Sequence, residues 1–198
     1  KRHFFVTLQT RHINNQNLMK HTIIETERLR LREIDISDMK ALSSILQDEK
    51  VMYAYNGPFN DEETMTWMQK QLQRYKDFGF GLWGVILKDT DEMIGQCGIT
   101  MQEYKTRQVP EIGYLLAHKH WHNGYATEAS TACREYGFNI LRFNTLYSII
   151  RDSNTASQNV AIRNGMSIID TIVKHYRGID MPHMVFCVEN TNHQISAL

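Results

Sequence analysis

A six-residue turn in the middle of the sequence has the residue types of an anion-binding site. Gly124 lies between an apolar run that ends at Leu116 and a helix-forming run that begins at Tyr125. The first turn of a helix leaves backbone N–H groups unpaired and carries a partial positive charge, and a glycine lets the backbone approach a ligand closely. This pattern indicates a phosphate-binding turn, and the alternative is an ordinary glycine turn before a structural helix. The turn consists of His122, Asn123, Gly124, Tyr125, Ala126 and Thr127, whose hydroxyl is a further donor.

A second segment with a specific residue combination begins just after a predicted strand. Residues 154–165 read NTASQNVAIRNG, with Asn154 followed by Ser157, Arg163 and Gly165. Taken alone, this is an Asn-capped helix with a serine on its surface and a glycine that ends it. The sequence contains neither GxxxxGK[ST] nor GxGxxG, so the P-loop and the Rossmann fingerprint are excluded as explanations of the first turn.

The overall composition excludes several classes of protein. The chain has 198 residues, of which 22 are Lys or Arg and 22 are Asp or Glu, so it has no bulk positive charge for nucleic acid. No apolar stretch is long enough to span a membrane, and the first twenty residues lack the apolar core of a signal peptide. The three cysteines are far apart, which indicates reduced thiols and a cytoplasmic protein rather than a disulfide framework or a zinc ribbon. These cysteines are Cys97, Cys133 and Cys187.

Hydrophobic periodicity predicts the element order β-α-α-β-β-β-α-β-α-β-β. This order indicates a mixed α/β (α+β) domain with a single, largely antiparallel twisted sheet flanked by helices. We expect a domain over residues 22–190, with a polar N-terminal extension over 1–21 and a tail over 191–198. The predicted strands are 26–34, 80–87, 93–100, 109–116, 146–151, 167–176 and 183–188. The predicted helices follow Ser37 and Asn60 as caps, run from the glycine turn to about Leu141, and span 154–164.

Together these segments resemble a known superfamily. Strand 109–116, the turn WHNGYATEA and the helix NTASQNVAIRNG are similar to the acetyl-CoA-binding core of the GNAT N-acetyltransferase superfamily. They most resemble the subgroup of ribosomal-protein N-terminal acetyltransferases. The resemblance covers roughly residues 24–189. It implies the acyl-CoA N-acyltransferase fold, in which two parallel strands, here 109–116 and 146–151, splay apart.

The turn matches the family pattern Gln/Arg-x-x-Gly-x-Gly/Ala with one departure. Trp121 occupies the first place, Gly124 the glycine and Ala126 the last place. Tryptophan at the first place is common in the subgroup. His122 stands where the subgroup usually has a glycine.

The resemblance implies acetyl-CoA as cosubstrate and a set of residues that hold it. The pantetheine arm would lie in the gap between the splayed strands, and the pyrophosphate would rest on the amides of residues 122–127. Asn154 and Ser157 would face the pantetheine and the sulfur, and Arg163 would reach a phosphate. The implied cofactor-binding set is Tyr114, Leu115, Leu116, Trp121, His122, Asn123, Gly124, Tyr125, Ala126, Thr127, Asn154, Ser157 and Arg163.

The resemblance also implies direct attack of an amine on the thioester, which requires a base, an oxyanion donor and an acid. Glu111 is the predicted base, acting through water, although it is also the kind of carboxylate found at a strand surface. Glu103 and His175 are weaker candidates. The backbone N–H of Leu116 or its neighbour would stabilise the oxyanion. Ser157 is the predicted acid, with a cofactor contact or a helix cap as the alternative.

Three functions remain open on the sequence alone. The first is acetyl transfer to a primary amine, with a protein N-terminus as one acceptor. The second is acetylation of a small-molecule amine or antibiotic, and the third is a non-catalytic CoA-binding module. We expect no membrane or nucleic-acid partner, and a monomer or homodimer. The acceptor groove would be lined by the loop 53–59, the helix after it and the hairpin near 176–182.

Three histidines in one short segment raise the possibility of a metal site. The HKHWH motif of His118, His120 and His122 has an eye-catching spacing. Two histidines four residues apart on a helix would share one face, but the predicted helix begins only after Gly124. We therefore predict no metal site there. The cysteines are predicted to be small buried side chains rather than nucleophiles, because buried thiols stay protonated.

Overall fold

The computed structural model describes residues 21–176 and 178–191 and places eight strands in one sheet. The spatial order of the strands is β1-β2-β3-β4-β5-β6-β8-β7. The predicted extension 1–21 and tail 191–198 fall almost entirely outside the described residues. The strands are β1 Thr22–Glu25, β2 Leu29–Arg32, β3 Leu82–Leu87, β4 Met93–Tyr104, β5 Arg107–Leu116, β6 Thr145–Arg151, β7 Ser167–Tyr176 and β8 Ile179–Glu189. The helices are α1 Met39–Leu46, α2 Glu49–Met52, α3 Asp61–Phe78, α4 Tyr125–Asn139 and α5 Thr155–Arg163.

The sheet is antiparallel except at one pair of strands. β5 and β6 run parallel and share a single register pair, Glu111 with Tyr147. Along β4, by contrast, β5 is paired continuously from Arg107 to Leu116. The two parallel strands therefore separate beyond Glu111, which leaves one edge of β5 open from residue 113 onward. The predicted fold class, with splayed strands, is confirmed.

The N-terminal strand predicted over 26–34 is wrong in its extent. The chain forms two short strands, β1 and β2, that pair with each other across a turn at residues 26–28. Thr26 closes this turn, because its N–H donates to the carbonyl of Leu29 and its hydroxyl oxygen accepts from the N–H of Leu29. The alternating pattern continues through the turn, so periodicity alone did not reveal the break.

The first predicted helix cap is also corrected. Asp35, rather than Ser37, caps the short 3-10 helix that leads into α1, and both the N–H and the hydroxyl of Ser37 donate to the Asp35 carboxylate. At α3 the prediction is confirmed: Asn60 and Glu63 form a reciprocal capping box. Within α3, Met68 is fully buried, whereas Met65 is 38% exposed.

Helices pack on both faces of the sheet. One face carries α4, and its core contains Trp83, Ile99 and Phe186, all fully buried. The other face carries α1 to α3, and its core includes Leu42 and Met68. No helix in the described part of the chain combines the length and the apolar character that a membrane span requires.

Candidate active site

The turn before α4 has the geometry of an anion-binding helix N-terminus. Gly124 is the N-cap residue with φ of 79°, and His122 also has a positive φ, 63°. The first helical hydrogen bond runs from Glu128 N to the Gly124 carbonyl, and no side chain caps the helix. Within the described residues, the amides of 125–127 therefore have no intrahelical or side-chain partner and are available to a ligand. The left-handed conformation at His122 is one that glycine adopts without strain.

An ion pair that sequence reasoning missed holds this turn in place. Arg28, in the β1–β2 turn, lies 2.7 Å from Glu128 in the first turns of α4. Its guanidinium also donates to the Asn123 carbonyl at 3.0 Å and lies 4.5 Å from the centre of the Tyr125 ring. Thr26 adds a hydrogen bond of 2.6 Å to the same carboxylate. Since the partners are about one hundred positions apart, no local pattern could have shown this contact.

The open edge of β5 directs backbone groups into the gap. The N–H of Ala117 donates to the Ile94 carbonyl on the β4 side, at 2.8 Å. Neighbouring residues of a strand direct their N–H groups to opposite edges, so the N–H of Leu116 points into the gap. The Leu116 carbonyl is held by the Trp121 indole N–H at 2.8 Å. Trp121 thus fixes the end of β5 beside the glycine turn.

The start of α5 lies next to this open edge. The Asn154 side chain accepts a hydrogen bond from Ser157 N at 3.1 Å, which caps the helix, and another from the Tyr53 hydroxyl at 2.8 Å. Tyr114 donates its hydroxyl to the Ser157 carbonyl at 2.7 Å. The hydroxyl of Ser157 itself has no hydrogen-bond partner among the described residues. Arg163 lies exposed at the far end of α5, a helix away from Asn154.

Glu111 lies where the parallel strands separate. Its Oε1 accepts a hydrogen bond from Ile149 N at 2.8 Å, so the carboxylate bridges β5 and β6. Burial raises the pKa of Glu111 above its ordinary value, against the opposing influence of Lys174, the Ile149 N–H and Arg74. Within the described chain, Oε2 has no hydrogen-bond partner. A half-buried carboxylate with a raised pKa and a free oxygen has the properties of a general base.

The two weaker base candidates lie in exposed positions. Glu103 lies exposed near the end of β4. His175 is exposed and its Nδ1 is 2.9 Å from the Asp180 carboxylate. Neither shows the burial that raises the pKa of Glu111, so Glu111 remains the best-placed carboxylate.

Among the described residues, the histidines of the HKHWH motif and the cysteines do not form a common cluster. His118 and His120 belong to a short 3-10 helix, and His120 Nε2 lies 3.5 Å from Glu92 Oε1. The described residues contain no group of three or more metal-ligating side chains. Cys97 and Cys133 are buried with their sulfurs 3.6 Å apart, and burial raises the pKa of the Cys133 thiol. Cys187 is only partly buried, so the prediction of a buried side chain is wrong there.

The loop and the helix predicted to line the acceptor groove pack on the Glu111 face of the sheet, and the surface they border is the candidate acceptor cleft. Tyr55, Phe59 and Trp67 form an interlocked aromatic wall with ring centres 5.8 to 6.4 Å apart. The 53–59 loop is tied to the sheet because Arg151 donates to the Tyr53 carbonyl at 3.0 Å. Sequence reasoning placed this loop at the groove, but it missed the cationic side chains that share the cleft.

Comparison with known proteins agrees with this geometry. The family model described as acetyltransferase (GNAT) domain matches residues 28–167. The chain is 40% identical over 154 residues to protein YkkB of Bacillus subtilis, covering 77% of this chain and 90% of the relative. It is 30% identical over 145 residues to the N-acetyltransferase YoaA of the same organism, covering 72% and 81%.

Solved structures show the same fold. The acetyltransferase from Agrobacterium tumefaciens superposes with a TM-score of 0.72 at 28% identity, covering 90% of this chain and all of that one. RimL, a ribosomal L7/L12 alpha-N-protein acetyltransferase, superposes with a TM-score of 0.75 at 19% identity, covering 90% and 99%. RimL in complex with coenzyme A gives a TM-score of 0.71 at 19% identity, covering 85% and 98%.

The fold and the family match define an acetyltransferase that uses acetyl-CoA. The chain belongs to the GNAT acetyltransferase family. The residues present fit the family's cosubstrate, because an uncapped helix N-terminus and an open strand edge both lie along one gap. Uncapped amides suit a pyrophosphate, and an open edge suits an amide-bearing pantetheine arm.

Proposed function

We propose that this protein is an N-acetyltransferase in which Glu111 accepts the proton of an acceptor amine that attacks the acetyl thioester directly. The observation that carries this proposal is the position of Glu111, which bridges the strands at the point where they separate. Acetyl-CoA supplies the activated acetyl group. The amides of residues 125–127 would hold its pyrophosphate, with Gly124 allowing close approach.

The remaining tasks fall to groups along the gap. The N–H of Leu116 points into it and would donate to the oxygen that gains negative charge. Ser157 would protonate the departing thiolate, and its hydroxyl has no competing partner within the described residues. The ordinary pKa of a thiol is about 8.5, so the thiolate is a good leaving group and the acid needs to contribute only modestly to its departure. Tyr114 and Asn154 would position Ser157 through the bonds they make to its backbone.

The acceptor is a primary amine, and we propose a peptide or protein N-terminal amine as the first class to test. The likeness in fold to RimL, whose name describes an alpha-N-protein acetyltransferase, supports this choice. The cleft is bounded by a loop and a helix on the sheet surface, which suits an extended chain end. A small-molecule amine is the second class of acceptor to test.

The test is release of free thiol from acetyl-CoA in the presence of amines. We expect thiol release that depends on the amine, together with acetylation of that amine by mass spectrometry. The panel contains peptides with free and blocked N-termini beside small primary amines. Acetylation of free but not blocked peptides supports the N-terminal acceptor. Acetylation of no amine at all would contradict the proposed function.

A further inference from the structure

Two cations share the acceptor cleft with one carboxylate. The positive charges of Lys174 on β7 and Arg74 on α3 both lower the pKa of Glu111, so both act on this carboxylate. Neither is close enough to form an ion pair with it, and neither has an ion-pair partner in residues 21–176 and 178–191. The sheet register also brings Arg74 towards Glu111. Leu82, whose N–H donates to the Gln71 side chain that anchors Arg74, pairs through Gly98 with Gly113, two residues along β5 from Glu111. Lys174, Arg74 and Glu111 together carry one net positive charge.

Arg74 is held at one nitrogen and open at the others. Its Nη1 donates to Gln71 Oε1 at 3.2 Å. Gln71 is fully buried, and its Oε1 also accepts from the Leu82 N–H at 3.2 Å. The other N–H groups of the guanidinium have no hydrogen-bond partner in the described chain. An arginine anchored in this way presents a planar pair of donors, which matches the geometry of a carboxylate.

The charge of Arg74 is only partly compensated by the protein. Burial lowers its pKa, and the opposing influences come from Glu111, Tyr55 and Tyr75. A half-buried cation without an ion pair has lost part of its hydration, so an anionic group of a ligand can bind it and compensate that loss. Tyr55 lies near both charges, and burial raises its own pKa to about 12, so its hydroxyl stays protonated and can donate.

We propose that Arg74 binds a carboxylate of the acceptor, so that the preferred acceptor carries its amine and a carboxylate on the same molecule. The inference rests on the proposed function, in which the amine faces Glu111. Arg74 and Glu111 then orient the acceptor by its two ends. The net positive cleft disfavours acceptors with several positive charges, such as polyamines. The carboxylate comes either from an amino acid or from an acidic residue that follows a peptide N-terminus.

The experiment compares acceptors that differ only in one carboxylate. The first arm uses an amino acid and its amide, and the second uses peptide amides with Ser-Asp or Ser-Asn at the N-terminus. kcat/KM is measured by thiol release at saturating acetyl-CoA. In one of the two pairs, we expect kcat/KM to be at least tenfold higher for the acceptor that has the carboxylate. The pair that shows this preference tells whether the carboxylate belongs to an amino acid or to an acidic residue of a peptide. Equal kcat/KM within both pairs would overturn the inference.

Variants tie the preference to Arg74. Arg74→Gln should reduce the preference at least fivefold and leave the KM for acetyl-CoA unchanged. Arg74→Lys should restore part of it, because the charge remains while the planar pair of donors is lost. The matched control is Lys70→Gln, which removes a cation from the exposed side of the same helix and should leave the preference intact. A preference that survives in Arg74→Gln would contradict the assignment.

A measurement on the unmodified protein guards against a folding defect in the variant. An N-acetylated amino acid keeps the carboxylate and cannot react, so it should inhibit competitively against the acceptor, and its amide should not. Equal inhibition by both would overturn the inference. Turnover without any carboxylate preference removes the inference alone, whereas absence of thiol release with every amine removes the proposed function together with it.

Discussion

The carboxylate of Glu128 and the guanidinium of Arg28 join the β1–β2 turn to the start of α4 at a distance of 2.7 Å. Glu128 also accepts from the Thr26 hydroxyl and from the backbone N–H of Arg28. Burial opposes ionisation of Glu128, but these bonds outweigh it, so its pKa lies below the ordinary value. The turn that would hold the pyrophosphate is therefore held in place by the β1–β2 turn, which lies about one hundred positions earlier in the sequence.

Glu128→Gln should weaken acetyl-CoA binding several-fold by loosening this attachment. It should also lower the free energy of unfolding at pH 7 by about 1 to 2 kcal/mol, because hydrogen bonds to a charged group are lost. Since the folded pKa is lowered, the stability that Glu128 contributes is present above the unfolded pKa and is lost as the pH falls through the folded pKa. The stability difference between the two proteins should therefore shrink in acid.

Urea denaturation at several pH values and titration with acetyl-CoA check this prediction. Glu103→Gln, which removes an exposed carboxylate from β4, is the control and should change neither quantity. Unchanged acetyl-CoA affinity in Glu128→Gln would show that the turn keeps its shape without the ion pair.

His122→Gly should stabilise the protein. His122 is exposed and adopts a positive φ of 63°, which costs a residue with a Cβ about 1 kcal/mol relative to glycine. Glycine gains entropy in the unfolded chain, and this offsets part of the relief of strain. We therefore expect a net increase of about 0.5 kcal/mol in the free energy of unfolding. His118→Gly, at a neighbouring position without a positive φ, should instead lower it. Thermal denaturation of both variants distinguishes backbone strain from a general effect of glycine.

These contacts show which parts of the molecule were predictable from the sequence. The Asn60 cap of α3 and the glycine that ends α5, Gly165, were predicted from the sequence. Both features depend on residues that are close neighbours in the chain. The break at Thr26 was missed because a distant residue, Glu128, participates in that turn. The extra length of β8 likewise reflects pairing with β7, which local hydropathy does not report.

The candidate site divides in the same way. The glycine turn and the Asn154–Ser157 segment were found because their spacing is local and matches a family pattern. The cationic side chains near Glu111 were missed, because Arg74 and Lys174 lie a hundred positions apart and meet only through the fold. Their roles depend on distance across the sheet, which residue spacing does not encode.

Glu111→Gln should lower kcat at neutral pH by about a hundredfold or more if the carboxylate is the general base. The KM for acetyl-CoA should change little, because Gln keeps the oxygen that accepts from Ile149 N. Since burial raises the pKa of Glu111, activity of the unaltered enzyme should fall as the pH decreases through that raised value. Steady-state kinetics across pH checks both statements, and unchanged kcat would remove Glu111 from the mechanism.

The same substitution should increase thermal stability at neutral pH. A carboxyl with a raised folded pKa favours folding most below its unfolded pKa, and that contribution is lost as the pH rises through the folded pKa. Glutamine does not ionise, so Glu111→Gln avoids the loss of stability that occurs when the carboxyl becomes charged. Its Tm should therefore exceed that of the unaltered protein at pH 7.5, with a smaller difference at pH 4.5. A lower Tm at pH 7.5 would indicate that the carboxylate stabilises the separated strands.

Ser157→Ala should lower kcat by about tenfold, less than general acids usually contribute, because a thiol leaves readily. Stability should stay close to that of the unaltered protein, since the Ser157 hydroxyl makes no hydrogen bond within the described residues. Stopped assays of thiol release at saturating substrates measure the change. Ser167→Ala, on the exposed surface of β7, is the control. Turnover equal to that of the control would assign the acid role elsewhere.

Ligand-induced thermal shift tests most directly whether the turn at Gly124 holds acetyl-CoA. At one hundred times the dissociation constant, a ligand adds about 2.7 kcal/mol of stability. We predict a shift with CoA and acetyl-CoA but not with ATP or NAD. Gly124→Ala should lose the shift. Gly79→Ala carries a similar strain at the end of α3, with φ of 76°, and should retain it. An equal shift in both variants, or an equal shift with ATP and NAD, would contradict the account.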